Sequence, residues 1–425
     1  MYAYIRYIRN IVPVFLLAGF HAGGQQSAFR TEIMRDDVKS LEIRLGGEMI
    51  SSPFMELDSD EKIEIAFDAM HRTSERFAYS VIHCNADWTK SELISLEYMR
   101  GFQNEAVEDI ANSFNTTARY TNHILTLPNE NVRFLVSGNY AVQVFEEYAP
   151  DNIIFTACFS VVEPLVEIEA SVKTNTDIDF NMGSQQVEFS VIQQNVNIAF
   201  PHTDLKTLVY QNNNRNDVRY GIKPLIIRGK QIVYQHNGNL IFDAGNEYRR
   251  IEFLTHRYNG MGVESIAFYN PYYNVTLIQD KKRDRKPYLY DQDQNGRFFV
   301  GCSSCKNPAT EADYYIVHFS LASEFMDDGN VYLFGDMFNN IIDEKSLMEY
   351  NAENGAYEKA VMLKQGLYNY MYAFVENGDT KITFDRTEGN FSETENEYTV
   401  AVYYRPMGAR YDRLIGVKNI GGNRY

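Results

Sequence analysis

Short runs in which apolar and polar residues alternate recur along this chain, and they limit what it can fold into more than any other feature. Alternation with a period of two is typical of half-buried β-strands, whose successive side chains point to opposite faces of a sheet. Asn, Asp and Gly interrupt the runs and favour turns. The runs between residues 32 and 166 are LEIRLGG, KIEIAFDAM, FAYSVIHC, HILTLP, GNYAVQVFEEY and NIIFTACFSVV. So many short strands with turns between them predict an immunoglobulin-like or fibronectin-like β-sandwich.

Similar runs continue to the end of the chain. Examples are SVIQQNVNIAF, PLIIRGKQIVYQHN and IEFLTHRY in the middle, followed by DYYIVHFSL, NVYLFGDMFNN and YTVAVYYRP. At 425 residues the chain exceeds what one ordinary core accommodates. We therefore predict an all-β protein of tandem β-sandwich domains, with an N-terminal immunoglobulin-like sandwich at 25–166, a middle β-rich domain at 167–308 and a C-terminal sandwich at 309–425. The strand order of the last segment resembles that of the early-set sandwiches that serve as glycogen-binding modules.

The N-terminus predicts export. Arg6 and Arg9 precede an apolar run from Ile11 to Phe20, and small residues follow it. This pattern is that of a secretory signal peptide, predicted at 1–24, with a transmembrane anchor as the alternative. The run is too short to span a bilayer comfortably, and no later segment is long and apolar enough to do so. The mature chain is therefore expected to be exported and to contain no transmembrane segment.

The charge of the chain argues against nucleic acid as a partner. Removal of residues 1–24 takes away two arginines and no acidic residue, which changes the formal charge from -17 to -19. A protein that binds a phosphate backbone carries the opposite sign. One basic island, Lys281 to Lys286, precedes Pro287. We expect an exposed loop there, with a patch that binds a partner as the alternative.

The stretch from Tyr79 to Phe102 contains His83, Cys84 and the only tryptophan of the chain, Trp88. These residue types occur in catalytic sites. However, His83 and Cys84 end a predicted strand and are adjacent, so their side chains point to opposite faces and cannot act together on one substrate. We predict no catalytic residue here.

Four cysteines remain in an exported chain, and two of them form the motif GCSSCKNP. Cys302 and Cys305 could form a small-loop disulfide, a redox dithiol or half of a metal site. A redox pair needs its first thiol at the start of a helix, and zinc needs two further ligands, which no second pair of this spacing supplies. We predict a structural disulfide. Cys84 and Cys158 each lie in a strand-like run and are expected as buried free thiols, with pairing across a sheet as the alternative.

The segment DQDQNG imitates the opening of a calcium loop. Asp291, Asp293, Asn295 and Gly296 have the required spacing, but Cys302 occupies the position of the closing glutamate. An Asn-Gly hairpin turn is therefore the preferred prediction. The chain contains neither a Gly-x-Ser-x-Gly elbow nor a His-Glu-x-x-His pair. We predict no catalytic residue, no cofactor and no metal.

Several stretches, taken in order, resemble one known family. They are the run from YSVIHCNADW at Tyr79 to AVQVF, QQVEFSV at 185–191, AGNEYRRIEF at 244–253, DQNGRFFV at 293–300, ADYYIVHFSL at 312–321 and LKQGLYNYMYAF at 363–374. The ordered set is similar to the type IX secretion system plug proteins of Bacteroidetes-type bacteria and covers nearly the whole mature chain. The resemblance implies a non-enzymatic periplasmic protein, peripheral to the inner face of the outer membrane, that closes the periplasmic mouth of the outer-membrane translocon barrel. It brings no catalytic residues.

Two other functions remain as alternatives. An exported carbohydrate-binding protein is suggested by the last domain and by its tyrosines. Sugar-binding modules use exposed tryptophans, but this domain has none, and Asn339 and Asn340 follow the FGDMF turn. A thiol enzyme would depend on Cys302 and Cys305 alone.

Overall fold

The structure of the protein, a computed structural model, describes residues 28–46, 48, 51–70 and 75–421. The predicted signal peptide at 1–24 lies outside the described residues. The described chain is nearly all β, arranged as face-to-face sheets, which confirms the prediction of an all-β protein made of tandem β-sandwiches. The few helical segments are short: α1 (Ser95–Tyr98), α2 (Pro201–Asp204), α3 (Pro308–Glu311) and the 3-10 turns Gly238–Leu240 and Asp336–Phe338. Within the described ranges, no helix has both the length and the hydrophobicity needed to cross a membrane.

The first sandwich contains the first twelve strands. They are β1 (Glu32–Ile33), β2 (Val38–Leu45), β3 (Phe54–Glu56), β4 (Ile63–Met70), β5 (Phe77–Cys84), β6 (Met99–Arg100), β7 (Glu105–Ala106), β8 (Asp109–Asn112), β9 (Tyr120–Leu127), β10 (Arg133–Phe134), β11 (Gly138–Glu146) and β12 (Ala149–Val162). One sheet has the order β1-β12-β11-β5-β7, with β3 parallel to β12, and the facing sheet has the order β2-β4-β9-β8. Alternating apolar residues from both sheets, such as Phe67 and Phe155, fill the space between them.

The second sandwich begins directly after the first. Its first seven strands are β13 (Val166–Lys173), β14 (Ser184–Gln193), β15 (Leu205–Gln211), β16 (Arg219–Tyr220), β17 (Ile226–Arg228), β18 (Gln231–Tyr234) and β19 (Ile241–Asp243). One sheet has the order β13-β14-β18-β17, with β19 also on β14. Strand β13 has the sequence VEIEASVK and turns Val166 and Ile168 towards the core, so its alternation is that of a half-buried strand.

A third sandwich follows β19 and is called the inserted sandwich. Its strands are β20 (Arg249–Phe253), β21 (Val263–Tyr269), β22 (Tyr272–Leu277), β23 (Asp280–Lys281), β24 (Phe298–Val300), β25 (Tyr314–Ala322), β26 (Gly329–Phe334), β27 (Glu349–Asn351), β28 (Ala356–Lys364) and β29 (Gly366–Glu376). The sheet β20-β29-β24, with β26 on β29, faces the sheet β21-β22-β25-β28-β27, with β23 on β25. Tyr315, Tyr368 and Tyr372 are buried in this core, as expected for tyrosines that alternate along a strand.

The chain then returns to the second sandwich with β30 (Glu397–Tyr404) and β31 (Arg413–Gly421). Strand β30 pairs with β15 from Leu205↔Tyr404 to Gln211↔Tyr398, which completes the sheet β16-β15-β30-β31. Val400 and Ile415 thereby enter the core that Val187 lines from the other sheet.

This topology differs from the predicted domain boundaries. The predicted break between 308 and 309 lies inside the inserted sandwich, because β22 and β25 on either side of it are paired strands of one sheet. The predicted C-terminal domain 309–425 likewise divides between two cores, because β30 and β31 complete the second sandwich. The cause is long-range pairing: β15 finds its partner beyond the whole inserted sandwich, and nothing local in either strand specifies that partner.

Strand β11 and residues 154–161 of β12 are buried on both faces, although a sandwich strand has one exposed face when its domain stands alone. Phe159 points into the core of the first sandwich, whereas its neighbour Cys158 points outward into a small cluster with Cys84 and Ala141. The second sandwich covers this outer side, where Tyr403 bonds Asn139. The joints between sandwiches therefore bury polar strand residues that would otherwise face solvent.

Candidate functional site

His83 and Cys84 lie at the end of β5 and point to opposite faces, as predicted. His83 is 1% exposed, and its Nε2 donates to the Ser137 carbonyl at 3.2 Å while its Nδ1 accepts from the Ser91 hydroxyl at 2.9 Å. Burial lowers the pKa of His83 to about 4, and this effect outweighs the nearby Asp412 carboxylate. The imidazole is thus held neutral inside a packed joint, which is the environment of a structural histidine.

Gly138 shows how tightly this joint is packed. It lies on β11 with a φ of +143°, a conformation that L side chains rarely adopt. A Cβ atom at this position would lie 2.4 Å from His83 Nε2, so a larger residue would displace the imidazole. The glycine is required by close approach of the backbone to a side chain.

Trp88 connects two sandwiches. It occupies a turn with a φ of 63° and packs beside Cys84, Ala141 and Cys158 on the outer side of the first sandwich. The guanidinium of Arg215, from the loop between β15 and β16 of the second sandwich, lies 4.2 Å from the centre of the indole ring. Cation–π contacts of this kind are stabilising, and more so where water is excluded.

Cys84 and Cys158 are both buried and not bonded to each other, in agreement with the prediction of free thiols. Burial raises the pKa of Cys158 to about 12 and also raises the pKa of Cys84. Reactive cysteines have a lowered pKa and partial exposure. Neither thiol has the properties of a nucleophile.

Cys302 and Cys305 lie in the turn before α3, with their Cα atoms 5.6 Å apart and their sulfur atoms bonded. The disulfide of the exported protein stays a prediction that thiol titration tests. Under denaturing conditions we expect two reactive thiols without reductant, from Cys84 and Cys158, and four after reduction. Four thiols without reductant, in protein taken from the periplasm, would contradict the prediction, as would stoichiometric zinc.

The carboxylates of the calcium-like segment are occupied by protein groups. Asp291 pairs with Arg250, and Asp293 accepts hydrogen bonds from the backbone N–H groups of Tyr248 and Asn295. Burial raises the pKa of Asp293 to about 7. Asn295 and Gly296 both have positive φ and form the tight turn that was predicted, but the described residues 282–297 before β24 contain no strand, so the turn does not close a hairpin. Among the described residues, no three His, Cys, Asp or Glu side chains are grouped so as to hold a metal.

The basic island at Lys281–Lys286 is exposed only in part. Arg285 is 93% exposed, but Arg283 donates to the fully buried Glu388 at 2.7 Å. Glu388 also binds Arg249. One member of the island therefore anchors the loop to the inserted sandwich, which no local pattern in the chain indicates.

The joint between the first and inserted sandwiches contains a buried ion pair. Lys364 Nζ at the end of β28 lies 2.6 Å from Asp68 Oδ2 on β4, and the two side chains are 2% and 1% exposed. Asp68 also accepts from Tyr314 OH at 2.6 Å and from Asn122 Nδ2 at 2.8 Å. Lys364 donates in addition to the Ala309 carbonyl at 2.7 Å. This pairing and hydrogen bonding offset the desolvation that makes a buried charge unfavourable.

Two further contacts extend this joint. Asp313 of the inserted sandwich accepts from the backbone N–H groups of Thr117 and Ala118 at 2.9 and 3.0 Å and from the Thr117 hydroxyl at 2.8 Å. Tyr120 donates to the Ala312 carbonyl at 2.7 Å, and its ring lies 4.3 Å from Lys364 Nζ. Sequence reasoning missed the joint, although Asp68 gave a signal as a lone acid within the apolar part of IEIAFDAM.

The joint between the first and second sandwiches is built differently. The fully buried Asp412 accepts from Lys206 of its own sandwich at 2.8 Å and from the Ala86 N–H of the first sandwich at 3.0 Å. Tyr403 donates to Asn139 Oδ1 across the joint at 2.7 Å. A backbone hydrogen bond also connects the segment between the two sandwiches to β31. Leu165 N–H, between β12 and β13, donates to the Ile415 carbonyl on β31 at 2.9 Å.

Asn339 and Asn340, which follow the FGDMF turn, lie in the inserted sandwich. Asn339 and Asn340 have φ values of 53° and 56° after the 3-10 turn, and Asn340 is buried. Its Nδ2 donates to Asp336 Oδ1 at 2.6 Å, and burial raises the pKa of Asp336 to about 6. These residues form an internal polar corner and present no open platform.

The fold and its joints define a multidomain all-β protein whose three sandwiches are fixed to one another through buried polar contacts. Residues 38–163 match the family model described as the type 9 secretion system plug protein 1st domain. The chain belongs to the type IX secretion system plug protein family, which links it to type IX secretion.

A solved structure extends the similarity to the whole fold. The crystal structure of a hypothetical protein from Parabacteroides merdae ATCC 43184 is similar to this chain, with 55% sequence identity and a TM-score of 0.92. The match covers 93% of this chain and 100% of that chain. The comparison with curated proteins found no match.

Proposed function

We propose that this protein is a non-enzymatic periplasmic accessory of type IX protein secretion that plugs the periplasmic mouth of the outer-membrane translocon barrel. In this proposal the N-terminal signal peptide exports the chain, and the mature protein stays peripheral to the inner face of the outer membrane. Membership of the plug family supports this assignment.

The observation that carries the proposal is the buried fixation of the sandwiches to one another. A segment that is mobile before docking loses conformational entropy when it docks and leaves gaps while it moves. The Asp68–Lys364 pair connects the first sandwich to the inserted one, and the Tyr403–Asn139 bond connects the first to the second. A preformed body of this kind can close a wide opening without first being ordered.

The chemistry of the described residues supports a role without catalysis. His83 is buried and neutral, and the free thiols have raised pKa values. The carboxylates of Asp68 and Asp412 are engaged by lysines within the joints. Each of these groups serves packing between domains.

Carbohydrate binding is the alternative function. The Asn339–Asn340 turn does not favour it, because its described residues offer no exposed aromatic platform. We expect the whole protein to migrate normally in a gel that contains starch or glycogen. Retarded migration would support the alternative instead.

Affinity capture from native outer membranes tests the proposed partner. The tagged mature protein is incubated with detergent-solubilised outer membranes, and the captured proteins are identified by mass spectrometry. We expect the type IX translocon barrel to be enriched over a control capture with an unrelated acidic β-sandwich protein. Equal recovery of the barrel in both captures would contradict the proposal.

A further inference from the structure

A cavity of about 340 Å³ lies between the first and inserted sandwiches. Cavities that hold small ligands in proteins have volumes of about 300–1,000 Å³. The first sandwich contributes Ile33 and Lys39 to its lining, and the inserted sandwich contributes Met337, Phe338 and Val361. The joint between the two sandwiches therefore creates a space large enough for a small organic molecule.

Apolar side chains form much of the wall of this cavity. Met337, Phe338 and Val361 pack against the core of the inserted sandwich, and each is only partly buried. Ile33 has the same position on the core of the first sandwich. Apolar surface that the joint leaves uncovered favours a ligand with a hydrocarbon or aromatic part, because contact between them removes both surfaces from water.

One charged group at the cavity, the Lys39 ammonium, lacks a partner. Lys39 is half-buried, and within the described part of the chain its Nζ donates no hydrogen bond and belongs to no ion pair. Burial lowers the pKa of Lys39, and the neighbouring Lys345 ammonium lowers it further. Both effects make the positive charge less favourable, and an anion bound in the cavity would offset them.

The acids that favour the charge of Lys39 already pair with other groups. Asp36 pairs with Lys345 at 2.9 Å, and Asp37 pairs with Arg35. The remaining charged side chains of the cavity are engaged by protein groups: Lys359 donates to the Glu344 carbonyl, Glu32 pairs with Arg30, and Asp343 accepts from the Lys345 N–H. Lys39 is thus the group from which a ligand would gain a charged partner.

A β-bulge lies beside Lys39. The pairing of β2 with β4 shifts in register between Lys39 and Glu42, and Ser40 has a φ of 49°, which residues other than glycine rarely adopt. Ser40 Oγ and Tyr314 OH of the inserted sandwich form a hydrogen bond of 2.8 Å. Bulges re-aim side chains and are frequent next to functional sites. Contacts from both sandwiches therefore fix the irregular backbone at the point where Lys39 meets the cavity.

We propose that the cavity binds a small organic acid with an apolar body, whose carboxylate accepts from Lys39 Nζ while its hydrocarbon or aryl part lies against Met337 and Phe338. The carboxylate supplies the acceptor and the countercharge that Lys39 lacks. A small hydrophilic anion leaves the apolar wall uncovered, and a neutral apolar molecule leaves the ammonium unpaired. The bound acid contacts both sandwiches, so its binding also stabilises the joint between them.

Calorimetric titration of the mature protein tests this site. The probes are octanoate and 3-phenylpropanoate, each compared with the alcohol of the same apolar body, octan-1-ol or 3-phenylpropan-1-ol. We expect at least one acid to bind, with one molecule per protein chain. Its Kd is expected to be about tenfold lower than that of its alcohol, because the alcohol brings no countercharge to Lys39. Acetate has the carboxylate without the apolar body and is expected not to bind.

The Lys39→Met variant isolates the contribution of the ammonium, because methionine keeps an unbranched apolar side chain and removes the charge. We expect the variant to raise the Kd of the bound acid about tenfold and to leave the Kd of the matching alcohol unchanged. Lys230→Met, at an exposed lysine of the second sandwich, is the matched control and is expected to keep the wild-type affinities.

Several outcomes would overturn the inference. They are failure of both acids to bind the wild-type protein at millimolar concentration, an alcohol that binds as tightly as its acid, and acetate that binds as tightly as either acid. Equal affinity of wild type and Lys39→Met for the bound acid would do the same. If Lys39→Met does not fold, the comparison of acids, alcohols and acetate on the wild-type protein decides. None of these measurements involves the translocon barrel, so their result is independent of the proposed function.

Discussion

The two joints of the first sandwich use the same kinds of residue in different ways. Towards the inserted sandwich, the buried ion pair itself crosses the joint, with Asp68 on one side and Lys364 on the other. Towards the second sandwich, the buried pair of Lys206 and Asp412 lies within one sandwich. There the buried polar contacts across the joint are hydrogen bonds such as that from Tyr403 to Asn139, whereas an ion pair that crosses it, Arg410–Glu97, is largely exposed.

This difference teaches which joint depends on charge. Removal of one partner of a crossing pair leaves an uncompensated buried charge, which is strongly destabilising. Removal of one neutral hydrogen bond is far less destabilising. We therefore expect the joint with the inserted sandwich to be sensitive to single charge changes, and the joint with the second sandwich to resist the loss of individual bonds.

The largest expected effect is that of Lys364→Met. The substitution leaves the Asp68 carboxylate buried without its ammonium partner, and we expect it to lower the free energy of unfolding by about 3–5 kcal/mol. Urea unfolding followed by tyrosine fluorescence measures this. Lys359→Met, on the same strand at a half-exposed position, is the control and should change stability by less than about 0.5 kcal/mol.

A companion double variant sharpens the interpretation. Asp68→Asn with Lys364→Met removes both charges and is expected to recover part of the lost stability, because neither charge is then left unpaired. A double variant no more stable than Lys364→Met would show that lost packing, and not the stranded carboxylate, causes the destabilisation.

A pH effect of intermediate size is expected at the joint with the second sandwich. His83 contacts Tyr411 of that sandwich edge to face, with centroids 5.3 Å apart, and burial lowers its pKa to about 4. Between pH ~6.5 and 4 the unfolded chain binds a proton at this position and the folded chain does not, so stability falls as the pH falls. The contribution of His83 to this loss is about 3 kcal/mol.

The His83→Gln variant isolates that contribution. We expect its stability to depend less steeply on pH over this window than that of wild type, whereas His202→Gln, at an exposed histidine, keeps the wild-type slope. Urea midpoints between pH 7.5 and 4.5 provide the comparison. Asp336, whose pKa is raised to about 6, contributes stability in the opposite direction as the pH falls, so differences between variants are more informative than the total slope. Identical slopes for wild type and His83→Gln would contradict the assignment.

The smallest expected effect is that of Tyr403→Phe. The hydroxyl donates to Asn139 Oδ1, which also accepts from the Ser160 hydroxyl at 2.8 Å, so the acceptor keeps one partner when the tyrosine hydroxyl is removed. We expect a loss of about 1 kcal/mol. Tyr404→Phe, at the neighbouring half-buried position, is the matched control. A loss as large as that of Lys364→Met would remove the distinction between the two joints.

Much of the fold could be predicted because strand formation leaves a local trace. Alternation in VEIEASVK identifies β13 and its buried face, and Asn295–Gly296 identifies a turn, since these features depend on neighbours in sequence. The opposite orientations of His83 and Cys84 followed from the same periodicity. The placement of the inserted sandwich did not, because the pairing of β15 with β30 is specified by contacts between residues far apart in the chain.

The joints and the cavity were beyond sequence reasoning for a related reason. Asp68 is visible as an acid in an apolar strand, but its partner Lys364 ends a different strand in another sandwich. Likewise, Lys39 and Phe338 line one cavity only because their sandwiches meet. A single sequence shows which residues are unusual for their surroundings, and the tertiary structure shows which residues they face.

Outer-membrane exclusion in living cells tests the central claim most directly. Uptake of a large antibiotic that the outer membrane normally excludes is measured in wild type, in a strain that lacks this protein and in a strain that lacks both this protein and the translocon barrel. We predict uptake in the single deletion, no uptake in the double deletion, and restored exclusion when the single deletion is complemented with the wild-type gene. Exclusion that is unchanged in the single deletion, or uptake that persists without the barrel, would contradict the proposal that this body of fixed sandwiches closes the pore.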